Sequence, residues 1–288
     1  MPIDNQDFIK RLRAITSDII TDEERLAVYE SDGLTAKKQL PGVVVIPDTI
    51  EQVQAITALC QSCEVPLVPR GAGTGLSGGA MPHHEGVLLV MARFNQVLDV
   101  DTSLRTATVQ PGVTNLAISE AVSNLGLYYA PDPSSQIACT IGGNVAENSG
   151  GVHCLKYGLT VHNVKQLKVV LPGGELVVVG GKGYDTPGYD LLALMHGSEG
   201  MLGIVVEVIV QLLPKPPEVA VIMAAFSNVI DAANSVSGVI SAGLLPAGLE
   251  MMDKLAIQAA ESFVGAGYPE AAEAMLLCEL DGSLEELE

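Results

Sequence analysis

Pro69-Arg70-Gly71-Ala72-Gly73-Thr74-Gly75-Leu76-Ser77-Gly78-Gly79 is the stretch whose reading decides the fold. It follows the apolar run Val65–Val68, which reads as a strand, and it contains G-x-G-x-x-G at Gly73, Gly75 and Gly78. A Rossmann loop of that pattern must open a helix whose N-terminus receives the pyrophosphate. Here Gly79, Pro82 and His83-His84 follow, and no helical periodicity begins. A P-loop would end in Gly-Lys-Ser/Thr, which is also missing. What remains is a glycine loop whose backbone N–H groups can converge into an anion nest, with Arg70 at its entrance.

Two further glycine-rich stretches share this character. The first is Ala130-Pro131-Asp132-Pro133-Ser134-Ser135, followed by Thr140-Ile141-Gly142-Gly143-Asn144-Val145-Ala146-Glu147-Asn148-Ser149-Gly150-Gly151. Its glycine pairs, hydroxyls and carboxamides let a backbone lie against a flat ligand and hydrogen-bond its edges. It reads as one long loop over 130–160, and a loop of that length usually serves a function. The other is Gly197-Ser198-Glu199-Gly200-Met201-Leu202-Gly203-Ile204-Val205, a glycine turn entering a strand.

Working outward, residues 1–40 read as a polar helical arm with Phe8, Ile9, Leu12 and Ile15 at helical spacing. Val43–Ile46 reads as a buried strand. Thr49 with Gln52 forms a capping box, and Ile50, Val53, Ile56, Cys60 and Cys63 trace one face of the helix it opens. With Val65–Val68 this makes a β-α-β unit. Gly86–Met91 is a further strand, and Val97–Val100 with Thr106–Val109 a hairpin. A helix through Ile118 and Val122 ends at Gly126. Val164–Leu171 and Glu175–Val179 flank the turn at Pro172, Asp190–Met195 is a short helix, and Ile204–Leu213 is a strand. This is the pattern of an α+β fold in two lobes.

Leu213-Pro214-Lys215-Pro216-Pro217 reads as a linker, since its prolines stop helix and sheet alike. Beyond it a new layer begins: strand Val219–Ala225, helix Val229–Ala242, strand Ala247–Met252, helix Asp253–Val264, strand Met275–Leu280, then one helical turn at 283–288. The layer reads as a domain cut before completion. The expected domains are therefore an arm over 1–40, a dinucleotide domain over 41–214 and an incomplete α+β (ferredoxin-like) cap over 218–288.

Composition narrows the function. The 288 residues carry 15 basic and 34 acidic side chains, a formal charge of −19, and nearly half of the charge lies in 249–288, where ten carboxylates meet one lysine (Lys254). Such a surface is wrong for nucleic acid or an anionic membrane. With no tryptophan, stacking platforms for single strands are also unexpected. The longest apolar run, Leu202–Leu213, is broken by Glu207, too short to span a bilayer. Met1-Pro2-Ile3-Asp4-Asn5 lacks a signal-peptide layout, and five cysteines form no disulfide framework. A cytoplasmic compartment is the expectation.

Taken together, the three glycine stretches resemble, in order and content, the FAD-linked oxidases of the vanillyl-alcohol oxidase / p-cresol methylhydroxylase (PCMH) type. They are most similar to the FAD-linked D subunits of glycolate oxidases, with D-lactate and D-2-hydroxyglutarate dehydrogenases near them. The resemblance covers about residues 25–255 and implies a two-lobe PCMH-type FAD-binding domain followed by a cap that is truncated here. By the family pattern, Pro69–Ser77 wraps the FAD pyrophosphate, Pro131–Ser135 and Thr140–Gly151 line the flavin and ribityl chain, and Glu199–Val205 meets the adenine side or the diphosphate. Thr74 stands where several members bond FAD to a histidine, so non-covalent FAD is expected, and no thioether from Cys139.

The implied activity is oxidation of a small 2-hydroxy acid, glycolate or D-lactate, to the 2-oxo acid: a base takes the hydroxyl proton while the α-hydrogen moves as hydride to flavin N5. The family's substrate-binding histidines and carboxylate-gripping arginine lie in a cap extending past the equivalent of residue 288. No catalytic residue is therefore assigned, and impaired turnover is expected. The implied partners are a second FAD-domain subunit and an iron–sulfur subunit, with any attachment to the inner membrane made through them. The alternatives are a non-catalytic FAD-binding subunit or a D-2-hydroxyglutarate dehydrogenase-like enzyme; a nicotinamide enzyme is disfavoured by the missing helix after Gly78.

Other chemistry-bearing residues read more simply. Cys60 and Cys63 lack a second ligand pair and fall on an apolar helix face, so they read as core and no metal site is assigned. His83-His84 reads as a solvated loop and His196 as packing. His153 and Lys156 flank the second stretch, where positive charge could stabilise a reduced, anionic flavin.

Overall fold

A computed structural model describes residues 6–181, 183 and 187–287, so residues 1–5 of the arm and Glu288 of the last turn lie outside the described residues. The chain divides into two compact units. The first comprises residues up to 129, 135–149 and 160–213; the second comprises 130–134, 150–159 and 214 onward.

The first unit holds two sheets. Strands β1 (Ile19–Ile20), β2 (Val43–Val45), β3 (Leu67–Arg70) and β4 (Val87–Val90) form the first, in the order β1-β2-β4-β3. The expected β-α-β unit is present: β2 and β3 are parallel, joined by the helix Ile50–Ser62, but β4 lies between them. Val43, Val44, Val45, Leu88 and Leu89 are all at most 1% exposed, because both faces of this sheet are covered. Thr49 caps the helix by accepting from the Gln52 N–H at 3.3 Å, while the Gln52 side chain reaches back to the Asp48 N–H at 2.7 Å instead of to Thr49 itself.

The N-terminal segment is not a polar arm. The helix Gln6–Ile15 buries Phe8 and Leu12 in the same cluster as Val53 and Ile56, and β1 pairs antiparallel with β2. The arm reading failed because a two-residue strand carries no periodicity, and the value of Phe8 and Leu12 depends on the surface they meet.

The second sheet is antiparallel: β5 (Val97–Asp101), β6 (Thr106–Val109), β8 (Val164–Val170), β9 (Leu176–Gly180) and β10 (Ile204–Gln211) run in the order β5-β6-β10-β8-β9, with β7 (Leu127–Tyr128) outside it. Its core takes Ile118 and Val122 from the helix Asn115–Val122 and Ile141 and Val145 from the helix Ile141–Glu147. Gly126, at φ 68°, closes the first of these after a 3-10 turn, a left-handed position suited to glycine.

The helix Ile141–Glu147 corrects the reading of 130–160 as one continuous loop. Thr140 caps it through the Gly143 N–H at 3.4 Å, and Asn148 ends it in the left-handed region at φ 50°. Two adjacent glycines argue against helix on propensity alone. Tertiary contact overrides this: a Cβ on Gly142 would stand 2.6 Å from Pro111 Cβ, so only glycine lets the turn approach that loop.

In the second unit, strands Glu218–Phe226 and Gly248–Asp253 lie on either side of Ala274–Gly282, each antiparallel to it. This is the split β-α-β arrangement of ferredoxin-like layers. Helices Val229–Ser241 and Lys254–Val264 are capped by Asn228 and Asp253. The packing is thin. Ile257, Ala272 and Met275 are buried, but Phe263 is 91% exposed and Ile230 71%.

Candidate functional site: a glycine-walled dinucleotide cavity

The three glycine stretches meet in the first unit around a cavity of about 310 Å³. From the first come Pro69, Arg70, Gly71, Ala72, Gly73, Thr74, Gly75 and Leu76; from the second, Ser135, Thr140, Gly142, Gly143, Asn144 and Ala146; from the third, Glu199, Gly200, Gly203, Ile204 and Val205. No helix follows Gly78. The approach is close enough to explain the glycines. A Cβ on Gly71 would lie 2.2 Å from Thr140 Oγ1, and one on Gly200, which also has φ 75°, 2.4 Å from Pro69 Cγ.

Seven of the expected residues lie elsewhere. Ser77 opens instead on a separate depression with Gly78, Met81, Leu34 and Lys37. Asn148 holds the chain, its Oδ1 accepting from the Val161 N–H at 3.0 Å. Pro131, Asp132, Ser134, Gly150 and Gly151 belong to the second unit. There the Asp132 carboxylate accepts from the His153 backbone N–H at 3.2 Å and pairs with its Nδ1 at 2.6 Å.

Cavity residues not anticipated include Gly79, Met91, Pro111, Cys139 and Ser198, while Glu147 falls within the expected Thr140–Gly151 range. Pro111 and Met91 belong to no motif; they arrive because the turn after β6 and the end of β4 pass beside the glycine loops. Cys139 is 4% exposed and its sulfur accepts from Asn144 Nδ2 at 3.3 Å. Asn144 in turn accepts from Asn115 Nδ2 at 3.1 Å, so this wall is fixed by a buried amide network.

Arg70, expected at the entrance of the glycine loop, lines the cavity with its guanidinium turned to the chain itself. Its guanidinium donates to the Tyr29 carbonyl at 3.2 Å and the Ser31 carbonyl at 2.7 Å, and stands 5.9 Å from the Tyr29 ring centroid. Burial lowers its pKa, opposed by Asp32 and Tyr29. Gly73, at φ 69°, passes so near that a Cβ would sit 2.5 Å from Nη2. Arg70 thus fastens the 29–31 segment beneath the glycine loop. The acids run the other way: Glu147 is held above the usual carboxylate range by burial, then by Glu199 and Asp32. Among the described lining residues the cationic side chain, Arg70, is thus already committed to backbone carbonyls.

The remaining candidates resolve plainly. His153 does not face a flavin as free positive charge. It lies between Asp132 and Glu279, and the latter is 3.1 Å from Nε2. Its pKa is raised to about 9, chiefly by the Asp132 hydrogen bond against the opposing effect of burial. Lys156 is paired with Asp281. His83 and His84 stack at 4.8 Å, and His84 Nδ1 meets Gln39, which is no arrangement for a metal. Among the described residues no cluster of three or more ligand side chains could hold a metal ion. Cys60 is 1% exposed and its thiol is pushed up to about 12 by burial and then by Cys63. His196 is buried, with Nδ1 donating to the Leu192 carbonyl at 2.7 Å.

Residues 41–180 match an FAD binding domain and residues 215–288 the C-terminal domain of FAD linked oxidases. The chain belongs to the FAD-linked oxidases. The close backbone approach at Gly71, Gly73, Gly142, Gly200 and Gly203, where a Cβ would lie 2.2–2.6 Å from a neighbouring atom, fits the cradle that the dinucleotide of an FAD-linked oxidase needs, and the cofactor is FAD. It is 59% identical to the glycolate oxidase subunit GlcD of Escherichia coli (strain K12) over 265 residues, 92% of this chain and 53% of that protein. It is 36% identical to the D-lactate dehydrogenase of Anaerostipes hadrus, over 95% of this chain and 58% of that one. The chain thus spans about half the length of these relatives. Among solved structures it is similar to alkyldihydroxyacetonephosphate synthase (TM-score 0.85, 21% identity, 98% of this chain and 56% of that chain) and to p-cresol methylhydroxylase (TM-score 0.75, 18% identity, 98% and 61%). These likenesses establish the α+β, PCMH-type fold. No helix among the described residues is long and apolar enough to cross a membrane.

Proposed function

We propose that the chain supplies the cofactor-holding part of an enzyme that oxidises a small 2-hydroxy acid, glycolate or D-lactate, to its 2-oxo acid. The observation that carries the reading is the convergence of three sequence-distant glycine stretches on one cavity, in a chain similar over nine-tenths of its length to a glycolate oxidase subunit. FAD would supply the acceptor for the substrate's α-hydrogen as hydride. The chain's own part is binding and orientation. Backbone N–H groups of 71–76 meet the diphosphate, and Thr140, Gly142 and Asn144 with Glu199–Val205 shape the remaining wall. The FAD domain is assigned to 41–214 and the cap to 218–288.

Among the described residues the cavity lining contains no histidine and no lysine, and Arg70 is committed to Tyr29 and Ser31. Neither a base for the hydroxyl nor a cation for the substrate carboxylate is therefore assigned to it. FAD is held non-covalently, and completion of the electron path falls to a second FAD-domain subunit and an iron–sulfur subunit.

The purified 288-residue chain titrated with FAD should show bound-flavin bands near about 450 and 375 nm, with all flavin released on denaturation. Anaerobic glycolate or D-lactate should leave these bands unbleached. A chain that stays colourless refutes the cavity assignment, and bleaching by either acid refutes the claim that base and clamp are missing from it.

A further inference from the structure

His153, Lys156 and Tyr157 form, with Asp132, Glu279 and Asp281, a polar cluster wholly inside the second unit. His153 Nδ1 meets Asp132 at 2.6 Å and Nε2 meets Glu279 at 3.1 Å, so one imidazolium is held between two carboxylates. Lys156 Nζ donates to the Asp281 carbonyl at 2.8 Å and to its carboxylate, and Tyr157 Oη donates to the other carboxylate oxygen. Asp281 is 8% exposed, so the pair is shielded from solvent screening. Backbones fit tightly as well: a Cβ on Gly151 would lie 2.2 Å from the Asp132 carbonyl, and one on Gly248 2.8 Å from Val152.

The charges serve two short segments, 130–134 and 150–159, and tie both to the strand Ala274–Gly282. In sequence these segments bracket residues 135–149, which contribute Ser135, Cys139, Thr140, Asn144 and Glu147 to the cavity. The chain therefore enters and leaves 135–149 through segments that are fixed to the strand Ala274–Gly282.

We propose that His153 and Lys156 are positioning residues for the cofactor cavity: their ion pairs hold both ends of the 135–149 stretch, linking cofactor affinity to the folded cap strand. The link to FAD rests on the cavity reading above. The groups facing His153 are Asp132 from the segment 130–134, Lys156 and Tyr157 from the helix Cys154–Tyr157, and Glu279 and Asp281 from the strand. Glu286 follows in the next turn, near Lys156 and Asp281, and the strand Gly248–Asp253 approaches at Gly248 beside Val152. A free imidazole is charged below about pH 6.5. The docked one keeps its proton to about 9. Docking thus loses its advantage as pH rises from the first value through the second.

The test compares His153→Gln and Glu279→Gln with wild type, and with Lys254→Gln, which breaks an exposed pair with Glu273 in the same unit. Amide exchange of the FAD-free protein is read over 135–149, and FAD affinity is titrated from pH 6 to 10. His153→Gln, which removes both of its ion pairs, should lower exchange protection of 135–149 and weaken FAD at pH 7, each by about tenfold, equivalent to about 1.4 kcal/mol. It should also remove the decline in affinity toward pH 9, and Glu279→Gln should move that decline to lower pH. Unchanged exchange in both variants, or an equal change in Lys254→Gln, overturns the proposal. Altered exchange in His153→Gln and Glu279→Gln, beside a wild type that binds no FAD, overturns the cofactor reading and leaves the clamp standing.

Discussion

Replacing Gly142 with alanine sets helix preference directly against packing. In an open helix alanine gains about 1 kcal/mol over glycine. At Gly142 a Cβ would stand 2.6 Å from Pro111 Cβ and 3.0 Å from the Pro111 carbonyl oxygen. The pyrrolidine ring cannot rotate away. Relieving such overpacking costs about 1–3 kcal/mol. Shifting the helix also lengthens the 2.8 Å bond from the Gly142 N–H to the Pro111 carbonyl, removing about 1 kcal/mol more. The net is a loss of about 1–3 kcal/mol. Gly143 is the internal control, since its Cβ would meet only Thr140 Oγ1 at 3.4 Å. Alanine there should be neutral or stabilising by about 1 kcal/mol. Urea unfolding of the two variants beside wild type reads the difference as a lowered midpoint for Gly142→Ala at constant slope. Because Asn144 and Ala146 ride on the same helix and Thr140 caps it, FAD binding should weaken with it. A Gly142→Ala midpoint equal to or above wild type would refute the account of this helix as fixed by contact with Pro111.

Arg70→Met keeps the aliphatic stem but leaves the Tyr29 and Ser31 carbonyls without their donors; it should cost about 2–4 kcal/mol and speed proteolysis between Glu30 and Leu34. Wild-type cleavage rates would show that Arg70 does not hold that segment. His196 is kept neutral by burial, so as pH falls below about 6.5 the unfolded chain takes up its proton first and stability drops. His196→Asn should therefore lose less stability than wild type between pH 8 and pH 5, and equal losses in urea melts would contradict the sign.

What the sequence determined by itself was local or combinatorial. The alternation of strands and helices was readable because side-chain periodicity and caps such as Thr49, Asn228 and Asp253 act within a few residues. The meeting of three glycine stretches around one cavity was readable because each gives up Cβ atoms, which backbones need when they pass close to one another or to a ligand. Tertiary structure decided the rest. Whether Gly142-Gly143 coil or stay extended depends on Pro111, some thirty residues earlier; that Arg70, at the loop's entrance, fastens the chain depends on carbonyls about forty residues before it. His153 and Lys156 read as free positive charge until strand Ala274–Gly282 brings Glu279 and Asp281 to them. Backbone carbonyls and distant carboxylates leave no local pattern, so the partner of a charge is known only once the chain has folded around it.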